Sequence, residues 1–244
     1  MINTKIWAHR GASGYAPENT LEAFQKAADM KADGVELDVQ MTRDGYLVVI
    51  HDETIDRVSD GSGCVKDFTL AELKQFNFNK THMEYETVRI PTFEEVLNLL
   101  NDTDLTINIE LKTGIFFYPG IEERVVALVK RMGMESRVLY SSFNHYSIMA
   151  IKKLNPDAKT GVLYSCGLYE AAEYARHLGA DAIHPVVYNL QYPSLMKDCK
   201  ENHLSVHVWT VNDRDTMENC YRMGVDAIIT NYPDVAKQIR EECR

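Results

Sequence analysis

The 244-residue sequence has no excess of basic residues and no long apolar run. Its 36 acidic residues outnumber its 26 basic ones, which excludes the basic surface typical of nucleic-acid-binding proteins. No cluster of Lys and Arg suited to an anionic membrane occurs either. No stretch of about 18 apolar residues is present, which a membrane-spanning helix would need. We therefore expect neither a nucleic-acid partner nor a membrane anchor.

Cysteines are few, odd in number and scattered along the chain. None of the five forms a C-x-x-C pair, and free thiols are the simplest interpretation. Such thiols are typical of a reducing compartment. The first residues also lack a basic segment followed by an apolar one, the usual form of a targeting signal. We therefore expect a cytoplasmic protein.

The sequence does contain a regular alternation of short apolar runs and amphipathic stretches. Such alternation favours a parallel sheet covered by helices. Eight units in a chain of this length favour a closed TIM-type (β/α)8 barrel, an α/β fold. We expect residues 1–244 to form one domain of this kind. The predicted strands are 5–9, 34–39, 105–112, 137–142, 159–164, 181–184, 204–210 and 226–230.

A ninth apolar run, at 47–50, follows the second strand too closely for a parallel connection, which needs about a dozen residues. We predict an extra antiparallel strand after a turn centred on 43–44, with His51 opposite Glu36. Residues 52–91 carry no clear strand. A stretch of this length without barrel elements indicates a functional insertion after strand two, such as a lid or collar.

Carboxylates occupy the inward face of two predicted strands. Glu36 and Asp38 alternate with apolar residues in strand two, and Glu110 does the same in the strand at 105–112. Carboxylates inside a barrel lose hydration and repel one another unless a cation holds them. Oxygen ligands suit Mg²⁺ or Ca²⁺, with Mn²⁺ a third candidate. A structural ion-pair network is the alternative, but the position near strand C-terminal ends favours metal ligands.

Two histidines are predicted at the same mouth of the barrel. His9 ends the first strand, and His51 follows the extra antiparallel strand. Imidazoles gain and lose protons near neutral pH, so a pair beside a carboxylate cluster suits acid–base catalysis. We expect the other six histidines to be structural.

Cations and aromatic residues complete the candidate site. Arg10 and Lys112 are the local cations, because arginine binds phosphate through paired hydrogen bonds and lysine supplies a point charge. Phe143 and Trp209 lie near the ends of other strands, where they are candidates to contact the substrate. The alternative is that both side chains simply fill the hydrophobic core. Asn19, before a predicted helix start, is either a capping residue or a site residue.

Together these residues resemble glycerophosphodiester phosphodiesterases, from residue 5 to about 235. The longest motif, HRGASGYAPENT at 9–20, is also the most specific. One departure is Asn231, which occupies a position where this family often has Asp. The other matching segments are Glu36-Leu-Asp38, His51-Asp52, Glu110-Leu-Lys112, Ser142-Phe143, Trp209-Thr-Val-Asn212 and the stretch 226–233.

The resemblance implies a TIM barrel with an insertion after strand two. It implies metal-dependent hydrolysis of glycerophosphodiesters, such as glycerophosphocholine or glycerophosphoethanolamine, to sn-glycerol 3-phosphate and an alcohol. It also implies His9 and His51 as the acid–base pair, and Arg10 and Lys112 as phosphate contacts. The implied metal ligands are Glu36, Asp38 and Glu110.

Two alternatives to this function stay open. One is a related barrel enzyme that acts on phospholipids, such as a phosphoinositide phospholipase or a sphingomyelinase-D-like lyase. The other is a non-catalytic barrel that binds phosphodiesters. The expected partner is a small-molecule glycerophosphodiester substrate, whereas the first alternative would act on membranes, and the protein is expected to be a monomer or a homodimer.

Overall fold

The computed structural model describes residues 2–243 and contains a closed cylinder of eight parallel strands. β1 closes the cylinder because it pairs in parallel with both β2 and β9. This confirms the predicted TIM-type α/β barrel with one additional strand. The strands are β1 (Lys5–His9), β2 (Gly34–Met41), β3 (Leu47–Val49), β4 (Thr106–Leu111), β5 (Val138–Ser142), β6 (Lys159–Tyr164), β7 (Ala182–Pro185), β8 (Ser205–Val208) and β9 (Ala227–Thr230), of which β3 is the additional strand.

Helices connect the barrel strands and cover the outside of the cylinder. Across residues 2–243, no helix combines the length and apolar character needed to cross a lipid bilayer. The helices are α1 (Leu21–Asp29), α2 (Leu70–Leu73), α3 (Phe93–Asn101), α4 (Ile121–Arg131), α5 (His145–Leu154), α6 (Ala171–His177), α7 (Leu195–Glu201), α8 (Arg214–Met223) and α9 (Pro233–Glu242).

Alternation along β2 decides which side chains enter the barrel. Val35, Leu37 and Val39 are fully buried in an apolar cluster that includes residues of α1 and α3. Successive strand residues point to opposite faces, so Glu36 and Asp38 point into the cylinder. Burial of the apolar face stabilises the fold by about 25 cal/mol per Å² removed from water, and it fixes the carboxylates on the inner face.

The helix starts follow from local capping. The Thr20 side chain accepts a hydrogen bond from the backbone N–H of Ala23 and begins α1. Thr92 begins α3 through a reciprocal capping box with Glu95, as its sequence predicts. Asn19 is therefore not the cap of α1, and its side chain is free for another partner.

The antiparallel strand β3 pairs with the upper end of β2, beyond the point where β1 ends. Val49 lies opposite Val39, so the predicted register, with His51 opposite Glu36, is wrong by one residue. This pairing still leaves β3 above the end of β1, and it brings His51 toward the mouth of the barrel.

The connecting turn explains the difference in register. The backbone N–H of Thr42 donates to the carbonyl of Tyr46 across a three-residue loop, where a two-residue turn was expected. Gly45 has a φ of +85°, a left-handed conformation that glycine adopts without strain. Loops of three residues with such a glycine are common in hairpins.

Residues 52–91 form an insertion above the barrel, here called the collar. All of these residues are described, and they contain α2 and irregular segments but no strand, as expected. The collar has an apolar core of its own, which also includes two residues of the preceding β3 segment. Its fully or nearly fully buried members are Val48, Ile50, Ile55, Val58, Val65, Leu73, Phe78, Val88 and Ile90.

Candidate active site

Three carboxylates meet inside the barrel near the C-terminal ends of two adjacent strands. Asp38 on β2 lies opposite Glu110 on β4, and Glu36 is one inward position below Asp38. One oxygen from each carboxylate lies within 4.8 Å of the others. The three residues are only 4%, 0% and 8% exposed for Glu36, Asp38 and Glu110. Adjacent parallel strands therefore bring together the carboxylates that the sequence singles out.

Burial and mutual repulsion disfavour three negative charges in this space. Burial and the charges of Asp38 and Glu110 raise the pKa of Glu36 well above its usual value. Burial and the charge of Asp38 likewise raise the pKa of Glu110. The pKa of Asp38 falls to about 2, because the charges of His51, Arg10 and other cations outweigh its burial. Burial and mutual repulsion therefore disfavour the ionised forms of Glu36 and Glu110.

A divalent cation fits this cluster. The Oδ1 atom of Asp38 is buried and has no hydrogen-bond partner within residues 2–243. Its Oδ2 atom accepts a hydrogen bond of 2.8 Å from Nδ2 of Asn19, which orients the carboxylate. Buried carboxylate oxygens are the ligands that Mg²⁺ and Ca²⁺ prefer. Glu36, Asp38 and Glu110 are the residues that would hold such an ion.

His9 lies at the end of β1, beside the carboxylate cluster. Its Nδ1 atom is 2.7 Å from Oδ1 of Asn231, which follows β9. Burial and the neighbouring charge of Arg10 lower the pKa of His9 to about 4, so the ring is neutral at pH 7. Because an amide oxygen only accepts hydrogen bonds, Nδ1 carries the proton and Nε2 is left with its lone pair.

His51 follows β3 and is held by both its side chain and its backbone. Its Nδ1 atom is 2.6 Å from Oδ1 of Asp52. Its carbonyl accepts a hydrogen bond of 3.0 Å from Nε2 of the buried Gln40, whose Oε1 accepts from the Tyr118 hydroxyl at 2.8 Å. The backbone N–H of Ile50, the preceding residue, donates to the carbonyl of Asp38 at 3.0 Å, which places His51 beside the strand that carries the carboxylates.

The loop after β1 places the backbone N–H and the side chain of Arg10 next to the carboxylate cluster. Arg10 has a φ of +54°, and its N–H donates to Oε2 of Glu36 at 2.9 Å. Its Nε lies 3.5 Å from Oδ2 of Asp38. Gly11 is required next, because a Cβ there would lie 2.6 Å from the backbone of Ala23. The tight turn thus depends on a glycine at this position.

Lys112 and two aromatic residues occupy other parts of the mouth. The Nζ atom of Lys112 lies 3.1 Å from Oε1 of Glu110. Phe143 and Trp209 pack edge to face, with ring centroids 5.5 Å apart. The Trp209 indole donates to the carbonyl of His184 at 2.8 Å, which fixes its ring, while Phe143 remains exposed. These two aromatic residues form one wall at the strand ends.

Comparison with known proteins agrees with this geometry. Residues 9–235 match the model of the glycerophosphoryl diester phosphodiesterase family. The chain belongs to this family. A glycerophosphodiester phosphodiesterase from Caldanaerobacter subterraneus subsp. tengcongensis is 47% identical over 96% of both chains. One from Bacillus altitudinis is 41% identical, over 99% of this chain and 100% of its own. The protein is thus a phosphodiesterase of this family.

Solved structures show the same fold. A phosphodiesterase from Oleispira antarctica, in complex with its product sn-glycerol 3-phosphate, superposes with a TM-score of 0.87 at 30% identity. The match covers 97% of this chain and 96% of the other. A glycerophosphodiester phosphodiesterase from Parabacteroides distasonis superposes with a TM-score of 0.86, also at 30% identity, over 98% of both chains.

Several residues of the phosphodiesterase site were not singled out from the sequence. Gln40 is the next inward-pointing residue on β2 after Asp38. The alternation of side chains along the strand was therefore enough to place Gln40 inside the barrel. Glu18 lies within the motif at 9–20, which gave it no role of its own, and Arg57 had no signal because it reaches the candidate site from the collar. Asn19, left open between two roles, binds Asp38.

Proposed function

We propose that the protein hydrolyses glycerophosphodiesters to sn-glycerol 3-phosphate and an alcohol in a reaction that requires a divalent cation. The observation that carries this proposal is that three buried carboxylates meet beside two histidines at the barrel mouth. The product bound to the Oleispira antarctica phosphodiesterase, sn-glycerol 3-phosphate, supports the same product here. Glycerophosphocholine and glycerophosphoethanolamine are the proposed substrates.

The proposed ligands of the cation are Glu36, Asp38 and Glu110. When bound, the cation offsets negative charge on the phosphate as the transition state forms. Mg²⁺ or Ca²⁺ suits three carboxylates, and Mn²⁺ is a third candidate. The cation also removes the repulsion that raises the pKa of Glu36.

His9 is the proposed general base. Its pKa of about 4 leaves the ring neutral at pH 7, and the hydrogen bond to Asn231 leaves the lone pair on Nε2. That atom takes the proton from the nucleophile, which is water or the neighbouring glycerol hydroxyl. Both nucleophiles require a base that is unprotonated before the reaction begins.

His51 is the proposed general acid. The carboxylate of Asp52 lies 2.6 Å from Nδ1 and offsets positive charge on the ring. The Nε2–H group then protonates the leaving alkoxide, which is a poor leaving group without a proton. The two histidines therefore have different partners, a neutral amide and a carboxylate, which suit opposite roles.

Arg10 and Lys112 are the proposed phosphate contacts. Both cations lie beside the carboxylates, at 3.5 Å from Asp38 and 3.1 Å from Glu110. A phosphodiester bound there has positive charge on two sides, which favours its anionic form. Phe143 and Trp209 form the wall that contacts the rest of the substrate.

One assay tests the proposal. A panel of glycerophosphodiesters is incubated with Mg²⁺, Ca²⁺ or Mn²⁺, and with a chelator, and release of sn-glycerol 3-phosphate is followed. We expect release with the cation and none with the chelator. Equal release in both conditions would contradict the proposed cation requirement. A cyclic glycerophosphate among the products would identify the glycerol hydroxyl as the nucleophile.

A second comparison separates soluble diesters from membrane lipids. Turnover of glycerophosphocholine is measured beside that of phosphatidylcholine, phosphatidylinositol and sphingomyelin in liposomes. We expect turnover of the soluble diester only. Faster turnover of any liposomal lipid would favour the phospholipid-acting alternative.

A further inference from the structure

The guanidinium of Arg57, on the collar, joins two carboxylates that come from different parts of the chain. Its Nε and Nη2 atoms donate to Asp52 at 2.7 and 3.1 Å. Its Nη1 and Nη2 atoms donate to Oε2 and Oε1 of Glu18, both at 2.7 Å. All three guanidinium nitrogens of Arg57 donate hydrogen bonds, and each carboxylate accepts two of them.

Each of these carboxylates also contacts one residue of the proposed site. Asp52 lies 2.6 Å from Nδ1 of His51. Glu18 accepts a hydrogen bond of 2.8 Å from Nη1 of Arg10. A continuous chain of charged hydrogen bonds therefore runs from His51 through Arg57 to Arg10, from the segment after β3 to the loop after β1.

We infer that Arg57 is a positioning residue for this reaction, an inference that rests on the proposed function. It holds Asp52 against His51, so that Nδ1–H is fixed and Nε2 faces the leaving group. It also holds Glu18 against Arg10, so that the Arg10 guanidinium stays near the phosphate. Within residues 2–243, no hydrogen bond or ion pair joins Arg57 to the carboxylate cluster or to the two histidines.

Electrostatics supports this role. Burial raises the pKa of Glu18, but the hydrogen bonds and charges of Arg57 and Arg10 outweigh burial and lower it. Burial likewise raises the pKa of Asp52, and hydrogen bonds from Arg57 and His51 outweigh it. Arg57 thus keeps both carboxylates ionised close to the already acidic cluster. Without it, two negative charges would lose their main partner.

The collar fixes the backbone of Arg57. Its neighbours Ile55 and Val58 are buried in the collar core, and the Ser59 backbone and hydroxyl both donate to the Ile55 carbonyl, at 2.9 and 2.8 Å. The Arg57 side chain itself is 44% exposed, so the collar core does not depend on it. The single ammonium group of a lysine cannot make the paired hydrogen bonds that the planar Arg57 guanidinium makes to both carboxylates.

The test compares Arg57→Ala and Arg57→Lys with wild type, using glycerophosphocholine and saturating Ca²⁺ or Mg²⁺. We expect kcat to fall about 10- to 100-fold in both variants, as is typical when a hydrogen-bonded support of a site is lost. KM should rise less than about threefold, because Arg10 and Lys112 are themselves retained and only the support of Arg10 is lost. Low guanidinium chloride should restore part of kcat in Arg57→Ala, where the exposed site admits it.

A matched control and a structural readout separate positioning from folding. Arg43→Ala removes an exposed arginine that pairs with Glu72 at 3.0 Å, and it should leave kcat unchanged. Calorimetry of cation binding and the melting temperature should be alike for Arg57→Ala and wild type. Nitrogen-15 NMR should report a His51 Nδ1–H that is hydrogen-bonded to Asp52 and exchanges slowly with water in wild type, and one that exchanges faster in Arg57→Ala.

The outcomes are distinguishable. Wild-type kcat in Arg57→Ala, together with an inactive His51→Ala variant, would overturn this inference and leave the proposed function standing. An unchanged exchange rate of the His51 Nδ1–H, or a loss of kcat that tracks a lower melting temperature and resists guanidinium, would also overturn it. An active His51→Ala variant would instead contradict the proposed function itself.

Discussion

The side chain of His9 is 2.7 Å from that of Asn231, although the two residues are 222 positions apart in the chain. Closure of the barrel creates this contact, because β1 pairs directly with β9. The partner of the proposed base is therefore a neutral amide. The identity of this one residue sets the charge environment of His9, and it leads to the first prediction.

Asn231→Asp should raise the pKa of His9. A carboxylate at hydrogen-bond distance favours the imidazolium, by about one to three pH units. The base must be neutral to act, so the acid limb of the kcat/KM profile should move to higher pH by a similar amount. The measurement is a pH–rate profile of both proteins at saturating cation. An acid limb that stays in place, or moves to lower pH, would contradict the role of His9 as base.

His51→Ala should abolish turnover without loss of cation binding. Removal of a general acid typically costs about 10²- to 10⁴-fold in rate. The carboxylates that would hold the cation are untouched by this change, so the affinity measured by calorimetry should stay the same. His82→Ala, in the adjacent collar, is the control because the one hydrogen bond of its ring within residues 2–243 is to the Thr81 hydroxyl. Retained turnover in His51→Ala would remove this residue from the reaction.

Glu36→Gln should stabilise the cation-free protein and remove its response to the cation. Gln keeps the shape and the hydrogen bond to the Arg10 N–H but removes one of three repelling charges. Wild type should gain about 2.7 kcal/mol of stability at a cation concentration 100 times Kd. The measurement is the melting temperature with and without Ca²⁺ or Mg²⁺.

The exposed Glu84→Gln is the control for the same change of charge. It should behave as wild type in both conditions. An equal cation-induced rise in melting temperature for wild type and Glu36→Gln would place the cation elsewhere.

The buried pair His184 and His207 should make the fold sensitive to acid. Burial lowers the pKa of His207 from 6.5 to about 3, and its Nδ1 lies 2.9 Å from Nε2 of His184. Below pH 6.5 the unfolded chain takes up a proton at His207 that the folded chain does not. The stability that this histidine contributes is thus complete above pH 6.5, and it is lost as the pH falls toward 3.

His207→Gln tests this dependence. The slope for one such group approaches about 1.4 kcal/mol per pH unit. The difference in unfolding free energy between wild type and His207→Gln should therefore shrink as the pH falls from 6.5 to 4.5. Chemical denaturation at several pH values measures it, with the exposed His177→Gln as the control. A difference that is constant with pH would contradict the buried neutral state.

Much of the fold and of the site was predictable because it depends on local patterns. Period-two alternation is enough to place Glu36, Asp38 and Glu110 on the inner face of their strands. The strand–helix alternation is enough to predict the barrel. Thr92 stands three residues before Glu95, the sequence pattern of the capping box that begins α3.

Other features depend on contacts that the sequence does not encode locally. The hairpin register depended on the left-handed turn at Gly45, which moved the pairing by one residue. The contact between Glu18 and Arg57 spans 39 positions and needs the folded collar. The contact between His9 and Asn231 needs the closed barrel. Pattern alone predicts neither contact, because each requires the relative positions of distant segments.

The collar has an apolar cluster of its own. The candidate site is therefore built from two parts of the structure, the cylinder and the collar. The carboxylates lie on barrel strands, whereas Arg57 lies in the collar and His51 directly precedes it. Segments that have their own small core often open at a lower free energy than the whole protein. On mild heating we therefore expect catalysis to disappear while the protein keeps most of its circular dichroism signal. Thermal inactivation of this enzyme would then report the detachment of one insertion, ahead of global unfolding.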